Sequence, residues 1–288
     1  DNWASRFKTC GGTNQSPFPL RFLQSVFKPM EPMHFFNYDS EMILDVQIIG
    51  TNLFIFPNSS RLAVFGGPLA GEYTFIMGAF HFGLNLTDGA EHKTDETEHA
   101  AELQLIHYTE TDNPISCLKE ASGLLSLVVL FRETPENNTE LDSFISAVVE
   151  LHGPGRRPKA TRSQFYLSSF MPRTTTDFYL YSGSITFPPC TERVMTVVFE
   201  SSVDIGKQQL DKMRLLKTRL GSENCQGLIA GNIRKLSGKQ DASRTVYRSF
   251  RFMPSQAGGH ELRVSTMPML ITAALLWTCL PGVCEDWW

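Results

Sequence analysis

Two stretches decide the architecture: Gly78-Ala79-Phe80-His81-Phe82-Gly83 and, further on, Ala101-Glu102-Leu103-Gln104-Leu105-Ile106-His107-Tyr108. In both, residue types change from one position to the next. Phe80 and Phe82 share one side and Ala79 and His81 the other, and Leu103 and Leu105 oppose Glu102 and Gln104 in the same way. A period of two is the mark of a strand with one face in a core. The same reading extends to Met42–Ile49, 52–56, 62–65, Tyr73–Phe82, 124–131 and 194–199, with turn residues between them. Helical periodicity is confined to 139–151, where Leu141, Phe144, Ile145 and Val148 recur, and to 204–220. The 21 Phe and seven Tyr suit pleated, half-buried surfaces. The class expected is mainly β (α+β), one large core with a few surface helices.

Composition narrows the function. A net charge of −4 over 288 residues gives no support for nucleic acid as a partner. The six cysteines (Cys10, Cys117, Cys190, Cys225, Cys279 and Cys284) contain no CxxC pair and no zinc-finger spacing. Three sequons, at Asn58, Asn85 and Asn137, fall in polar stretches that read as loops, where glycan acceptors belong. The chain begins at Asp1, as a chain relieved of its signal peptide would. Together these favour a secreted protein or one in the lumen of the secretory pathway.

Four collinear stretches then resemble the α-carbonic anhydrases. Cys10-Gly11-Gly12-Thr13-Asn14-Gln15-Ser16-Pro17 is similar to the family's C-x-G-x-x-QSP. Gly67-Pro68-Leu69 through Phe80-His81-Phe82-Gly83 resembles the strand ending FHFHWG. Gly89-Ala90-Glu91-His92 with 101–108 resembles GSEH…AELHLVHW, and 181–192, containing Gly183-Ser184-Ile185-Thr186-Phe187-Pro188-Pro189-Cys190, resembles YxGSLTTPPCxE. The resemblance covers residues 3 to 238 and implies the α-carbonic anhydrase fold, a large twisted, mostly antiparallel sheet with peripheral helices and a conical cleft. Residues 1–238 are therefore expected to form the domain and 239–288 a C-terminal extension.

In that family three imidazoles hold Zn²⁺ and leave one position open for water, whose pKa the metal lowers to about 7. The resemblance puts Ala79, His81 and Gln104 at the three ligand positions. Ala79 has no donor atom, and a neutral amide is a poor zinc ligand beside imidazole. No metal and no cofactor are expected. The proton-shuttle position falls at Thr51, which does not titrate near neutrality. Phe187 follows the orienting Thr186 where a small polar residue is usual, and Phe54 replaces a polar rim residue. Glu91, Glu102 and Thr186 remain, expected as a retained hydrogen-bonded network rather than catalytic groups. The resemblance also pairs Cys10 with Cys190.

What is left is surface. Arg156, Arg157, Lys159 and Arg162 form a basic loop able to meet an acidic partner or an acidic glycan. The run 88–99 reads as a solvated acidic loop and His107 as a satisfied core histidine. Residues 267–280 form an apolar run shorter than the about 20 that span a bilayer; with Trp277, Trp287 and Trp288 it reads as an association surface rather than a membrane anchor. The Pro-Gly turn in 280–283 would let Cys279 and Cys284 close a short loop; the pairing of Cys117 and Cys225 stays open. The expectation is a non-catalytic extracellular module with a protein partner or a second copy of itself. The alternative is an enzyme with residual or altered-metal hydratase or esterase activity.

Overall fold

The computed structural model describes residues 3–58, 60–85, 88–94, 99–109, 122–152, 160–217, 227–235 and 244–249. Its strands are β1 Val26–Phe27, β2 Met33–Phe36, β3 Met42–Ile49, β4 Asn52–Pro57, β5 Ala63–Gly66, β6 Tyr73–Phe82 and β7 Ala101–Thr109, followed by β8 Leu124–Thr134, β9 Ala160–Phe165, β10 Phe178–Ser184, β11 Glu192–Phe199, β12 Val203–Gly206 and β13 Tyr247–Ser249. All thirteen join one sheet, whose main path runs β1-β13-β10-β11-β8-β7-β6-β4-β3-β9; β12 pairs β8, and β5 links β2 to β6. Pairing is parallel at β1·β13, β8·β11 and β8·β12 and antiparallel elsewhere. The helices are α1 Trp3–Arg6, α2 Asp142–Glu150 and α3 Lys207–Arg214, with short 3₁₀ turns between strands.

The alternation read in the sequence becomes two faces. Phe80, Phe82, Leu103, Leu105, Leu127 and Val129 point into the main core, which α2 covers with Phe144, Ile145 and Val148. Phe80 stacks on Phe144 with ring centroids 4.8 Å apart, and Phe170 meets Phe144 edge-on at 5.1 Å. Such pairs add to plain burial. A register shift between Phe75 and Met77 sends Tyr73 and Phe75 to the main core, whereas from Met77 onward the odd positions of β6, with the even positions of β7, face the other way, where a smaller cluster of Phe54, Ala79, Ile106, Ile185 and Phe187 forms. Both faces of β7 and β8 are covered, which is why these strands are buried almost throughout.

Two boundaries differ from expectation. The helix expected from Asp204 begins at Lys207, because Val203–Gly206 is drawn into the sheet beside β8 with Asp204 opposite Arg132. Their ion pair, 2.7 Å long, fastens the register, and residues 218–220 of the expected helix lie outside the described residues. The sheet also continues beyond residue 238: β13 is hydrogen-bonded to β10 on one side and β1 on the other. Its three residues are too few to carry a readable period.

Cys10 and Cys190 are joined by a disulfide across a separation of 180 residues. Beside it, Gln15 Nε2 donates to Glu192 Oε1 at 2.7 Å, and Asn14 N–H to the same oxygen at 2.8 Å. The N-terminal segment is thereby held against the β10–β11 turn. No described helix is long and apolar enough to cross a membrane.

Candidate functional site

The site lies on the sheet face opposite α2, where β6 and β7 run side by side. Register places Ala79 across from Gln104 and His81 across from Glu102. Positions i and i+2 of β6 thus share a face with the facing residues of β7, and all four are buried. The centre therefore presents a methyl group, one imidazole and one amide.

The amide is tied into carboxylates. Gln104 Nε2 lies 2.9 Å from each of Glu91 Oε2, Glu102 Oε1 and Thr186 Oγ1. Its nitrogen has two hydrogens and no lone pair to give a metal. His81 Nδ1 lies 3.0 Å from the Asn232 carbonyl oxygen and 3.2 Å from Glu91 Oε1. Both neighbours only accept, so the Nδ1 proton points at them. His81 Nε2 is buried with no hydrogen-bond partner. Residues that offer zinc one imidazole, a methyl group and an amide engaged as donor do not fit the tetrahedral ion. Among the described residues, no group of three or more His, Cys, Asp or Glu side chains is arranged to hold a metal.

Behind the amide runs a buried chain of polar groups. His92 donates to Glu102 from both its backbone N–H and Nδ1, at 2.8 Å each. His92 Nε2 reaches the Tyr181 hydroxyl at 2.6 Å, which meets Ser16 Oγ at 2.8 Å. Burial alone would raise the Glu102 carboxyl, but the charge and hydrogen bonds of His92 hold it down at about 2. Burial alone would lower His92, and the Glu102 carboxylate overrides it, lifting the imidazole to about 10. The two form an ion pair with its hydrogen bonds satisfied. Glu91 is raised, chiefly by burial and against the pull of His81; the Arg234 backbone N–H donates to its Oε1 at 2.8 Å.

The rim is aromatic. Phe187 and Phe54 meet edge-on at 5.5 Å, Phe54 lies 5.9 Å from Phe56, and the Phe187 ring lies 6.2 Å from the His81 imidazole. Thr51 sits in the β3–β4 turn and lines the same cleft. Of the eight positions read as a degenerate site, Thr51, His81, Glu91, Thr186 and Phe187 line this cleft; Glu102 and Gln104 are buried and hydrogen-bonded to each other, and Ala79 packs with Phe54 and Phe187. The solvated-loop reading of 88–99 needs correction at Glu91 and His92, which are buried because Glu102 and Gln104 need their polar groups, and at His99, which is buried as well; residues 95–98 lie outside the described residues.

Asn232 and Arg234 went unnoticed in the sequence. Asn232 donates from Nδ2 to the Phe80 carbonyl oxygen at 2.8 Å and accepts the Phe82 N–H at 3.0 Å. Arg234 donates to the Ser16 carbonyl oxygen and to Gln15 Oε1, at 2.8 Å each. Both reach the site across more than a hundred residues of chain, and no local pattern marks such a partner.

Away from the cleft, Arg162 Nε pairs with Asp45 Oδ1 across β3 and β9 at 2.8 Å, so this cation is committed to the sheet edge. Arg156, Arg157, Lys159, Trp277, Trp287, Trp288, Cys117, Cys225, Cys279 and Cys284 lie outside the described residues. Asn85 and Asn137 are exposed, whereas Asn58 is half-buried, its backbone N–H bonded to the Ile43 carbonyl oxygen at 3.2 Å. His107 is a satisfied core histidine: Nδ1 lies 2.9 Å from the Leu105 carbonyl oxygen and Nε2 2.5 Å from the Tyr38 hydroxyl.

A single mixed sheet with a polar centre on one face, an aromatic-rimmed cleft over it and an N-terminal segment pinned to the β10–β11 turn defines a class with known members. The profile of the eukaryotic-type carbonic anhydrases matches residues 1–250. Carbonic anhydrase 1 of Mus musculus is 30% identical over 222 residues, which cover 74% of this chain and 82% of the mouse protein. Carbonic anhydrase 3 of Homo sapiens is 27% identical over 226 residues, 77% of this chain and 85% of the human protein. The chain belongs to the eukaryotic-type carbonic anhydrase family.

Proposed function

We propose that this chain is a family member without hydratase activity, working outside the cell as a binding or assembly module. One observation carries the reading: Gln104 spends its amide N–H groups on Glu91 and Glu102 while a methyl group faces it from Ala79. Zinc-hydroxide chemistry needs three good donors and an open fourth position, and His81 supplies one donor. A fold carries many functions, so losing one leaves its surfaces available. The partner is a protein or a second copy of the chain, met by the aromatic cleft, the basic loop or the apolar tail; an acidic glycan is a second candidate for the basic loop. No nucleic acid and no cofactor enter this reading.

The Cys10–Cys190 disulfide supports an oxidising compartment. The exposed Asn137, just before the turn that leads into α2, supports glycosylation in the secretory pathway. The test is a stopped-flow CO₂ hydration assay on protein secreted from cultured eukaryotic cells. Proton release no faster than in buffer alone is expected; acceleration that disappears in His81→Ala would overturn the reading. Glycosidase treatment of the same material should lower its mass, and an unchanged mass would count against secretion.

A further inference from the structure

Four large apolar side chains within six residues, Phe22, Leu23, Val26 and Phe27, stand exposed, Leu23 at 92% and Val26 at 51%. A lone exposed Leu needs no account, but a run of such residues on the end strand of a sheet marks a contact surface. Phe22 and Leu23 belong to the 3₁₀ turn that leads into β1, and β1 closes one end of the sheet path. Its neighbour there is β13. Phe27 pairs with Arg248, the Lys28 N–H donates to the Arg248 carbonyl oxygen at 3.0 Å, and the Arg248 guanidinium lies 4.0 Å from the centre of the Phe22 ring. Ser249, the next residue, is the last one described. The chain therefore leaves the sheet one strand spacing, about 5 Å, from the patch.

Beyond Ser249, residues 250–266 include Pro254, Gly258 and Gly259, which permit a reversal of direction. Residues 267–280 then carry Leu270, Ile271, Leu275, Leu276 and Trp277 and no charged side chain. The linker spans about 55 Å at full stretch, far more than the patch requires. So short a tether holds the apolar run near the patch at an effective concentration on the order of millimolar, above that of a second copy in dilute solution. The margins also match in charge: Arg21 and Lys28 flank the patch, and Glu285 and Asp286 follow the run.

We infer that residues 267–280 fold back on their own chain and cover Phe22, Leu23, Val26 and Phe27. The inference stands apart from the zinc question, holding for an enzyme as for a binding module, and it leaves the cleft and the basic loop as the surfaces for a partner. Hydrogen exchange of the full chain, read by mass spectrometry, tests it. Amides of 267–280 should exchange at least about tenfold more slowly than an unstructured chain of that sequence, as burial of one Leu against the patch already requires. The slowing should be the same at every protein concentration, with light scattering reporting a monomer. In Leu23→Asp with Val26→Asp it should disappear while β6 and β7 keep their protection. If that variant unfolds, Leu23→Gln, a change at a side chain 92% exposed, should reduce the slowing by about tenfold. Exchange of 267–280 at the unstructured rate, or slowing that survives these substitutions, overturns the inference. So does slowing that vanishes as a dimer dissociates on dilution, which would make a second copy the occupant, or slowing that appears only with phosphatidylcholine vesicles, which would make the run a lipid contact.

Discussion

At Gln104 a neutral amide stands 2.9 Å from two buried carboxylates, Glu91 and Glu102. It donates where a metal ligand would have to give a lone pair, and the two acids stay satisfied without a metal. Gln104→Leu keeps the bulk and removes the donors, leaving buried carboxylate oxygens short of partners. Urea unfolding should show a loss of about 3 kcal/mol, the upper end of the range for an unsatisfied buried polar group. Gln104→Glu should be worse at neutral pH, with three carboxylates in contact, and should recover in acid as the new carboxyl takes up a proton and donates again. No recovery on acidification would contradict the arrangement. The amide was legible in the sequence as a missing ligand, and Glu91, Glu102 and Thr186 as a hydrogen-bonded network; that the amide itself donates into that network was not, since Glu91 reaches it from the loop before β7.

Strand alternation in β3, β6 and β7 was legible because each strand sits between two environments, so the faces differ in residue type. Short elements such as β12 and β13 are held by their neighbours, and nothing in four or three residues announces that. The same holds for the junction of β12 and α3. Gln209 reads there as an ordinary helix residue, yet it is buried and makes four hydrogen bonds. Its Oε1 accepts the N–H groups of Gly206 and Asn138 at 3.0 Å each, and its Nε2 donates to the Asn138 carbonyl oxygen at 2.8 Å and to Asp142 Oδ1 at 2.9 Å. It ties the start of α3 to the start of α2. Gln209→Ala strands two backbone N–H groups and should cost about 2 to 3 kcal/mol in the same unfolding assay. A change within experimental error would show that these bonds are replaced by water.

Across the whole molecule, the disulfide closes a loop of 180 residues. In the chain-entropy model that is worth on the order of 4 to 5 kcal/mol, an upper figure, so reduction should lower the unfolding midpoint sharply. Peptide mapping that found both thiols free would contradict this. Stability should also depend on pH in a way set by the buried titratable groups. His92 is raised from 6.5 to about 10, so its contribution is complete below 6.5 and is lost as pH rises toward 10. His107 is lowered from 6.5 to about 3, mainly by burial, so its contribution is complete above 6.5 and is lost as pH falls toward 3. Glu102, lowered from 4.5 to about 2, adds a further loss below 4.5. Glu91, raised by burial, works the other way, its contribution complete below 4.5 and lost as pH rises. Thermal unfolding should therefore be most resistant between pH 4.5 and 6.5 and fall on both sides, and His107→Phe should flatten the acid limb.

Zinc content tests the account at its centre. Plasma emission analysis of protein purified without chelators and dialysed against zinc-free buffer should find no stoichiometric metal, while the double substitution Ala79→His with Gln104→His should restore binding of about one ion per chain. A wild-type chain that retains about one zinc, and loses it on His81→Ala, would contradict the account.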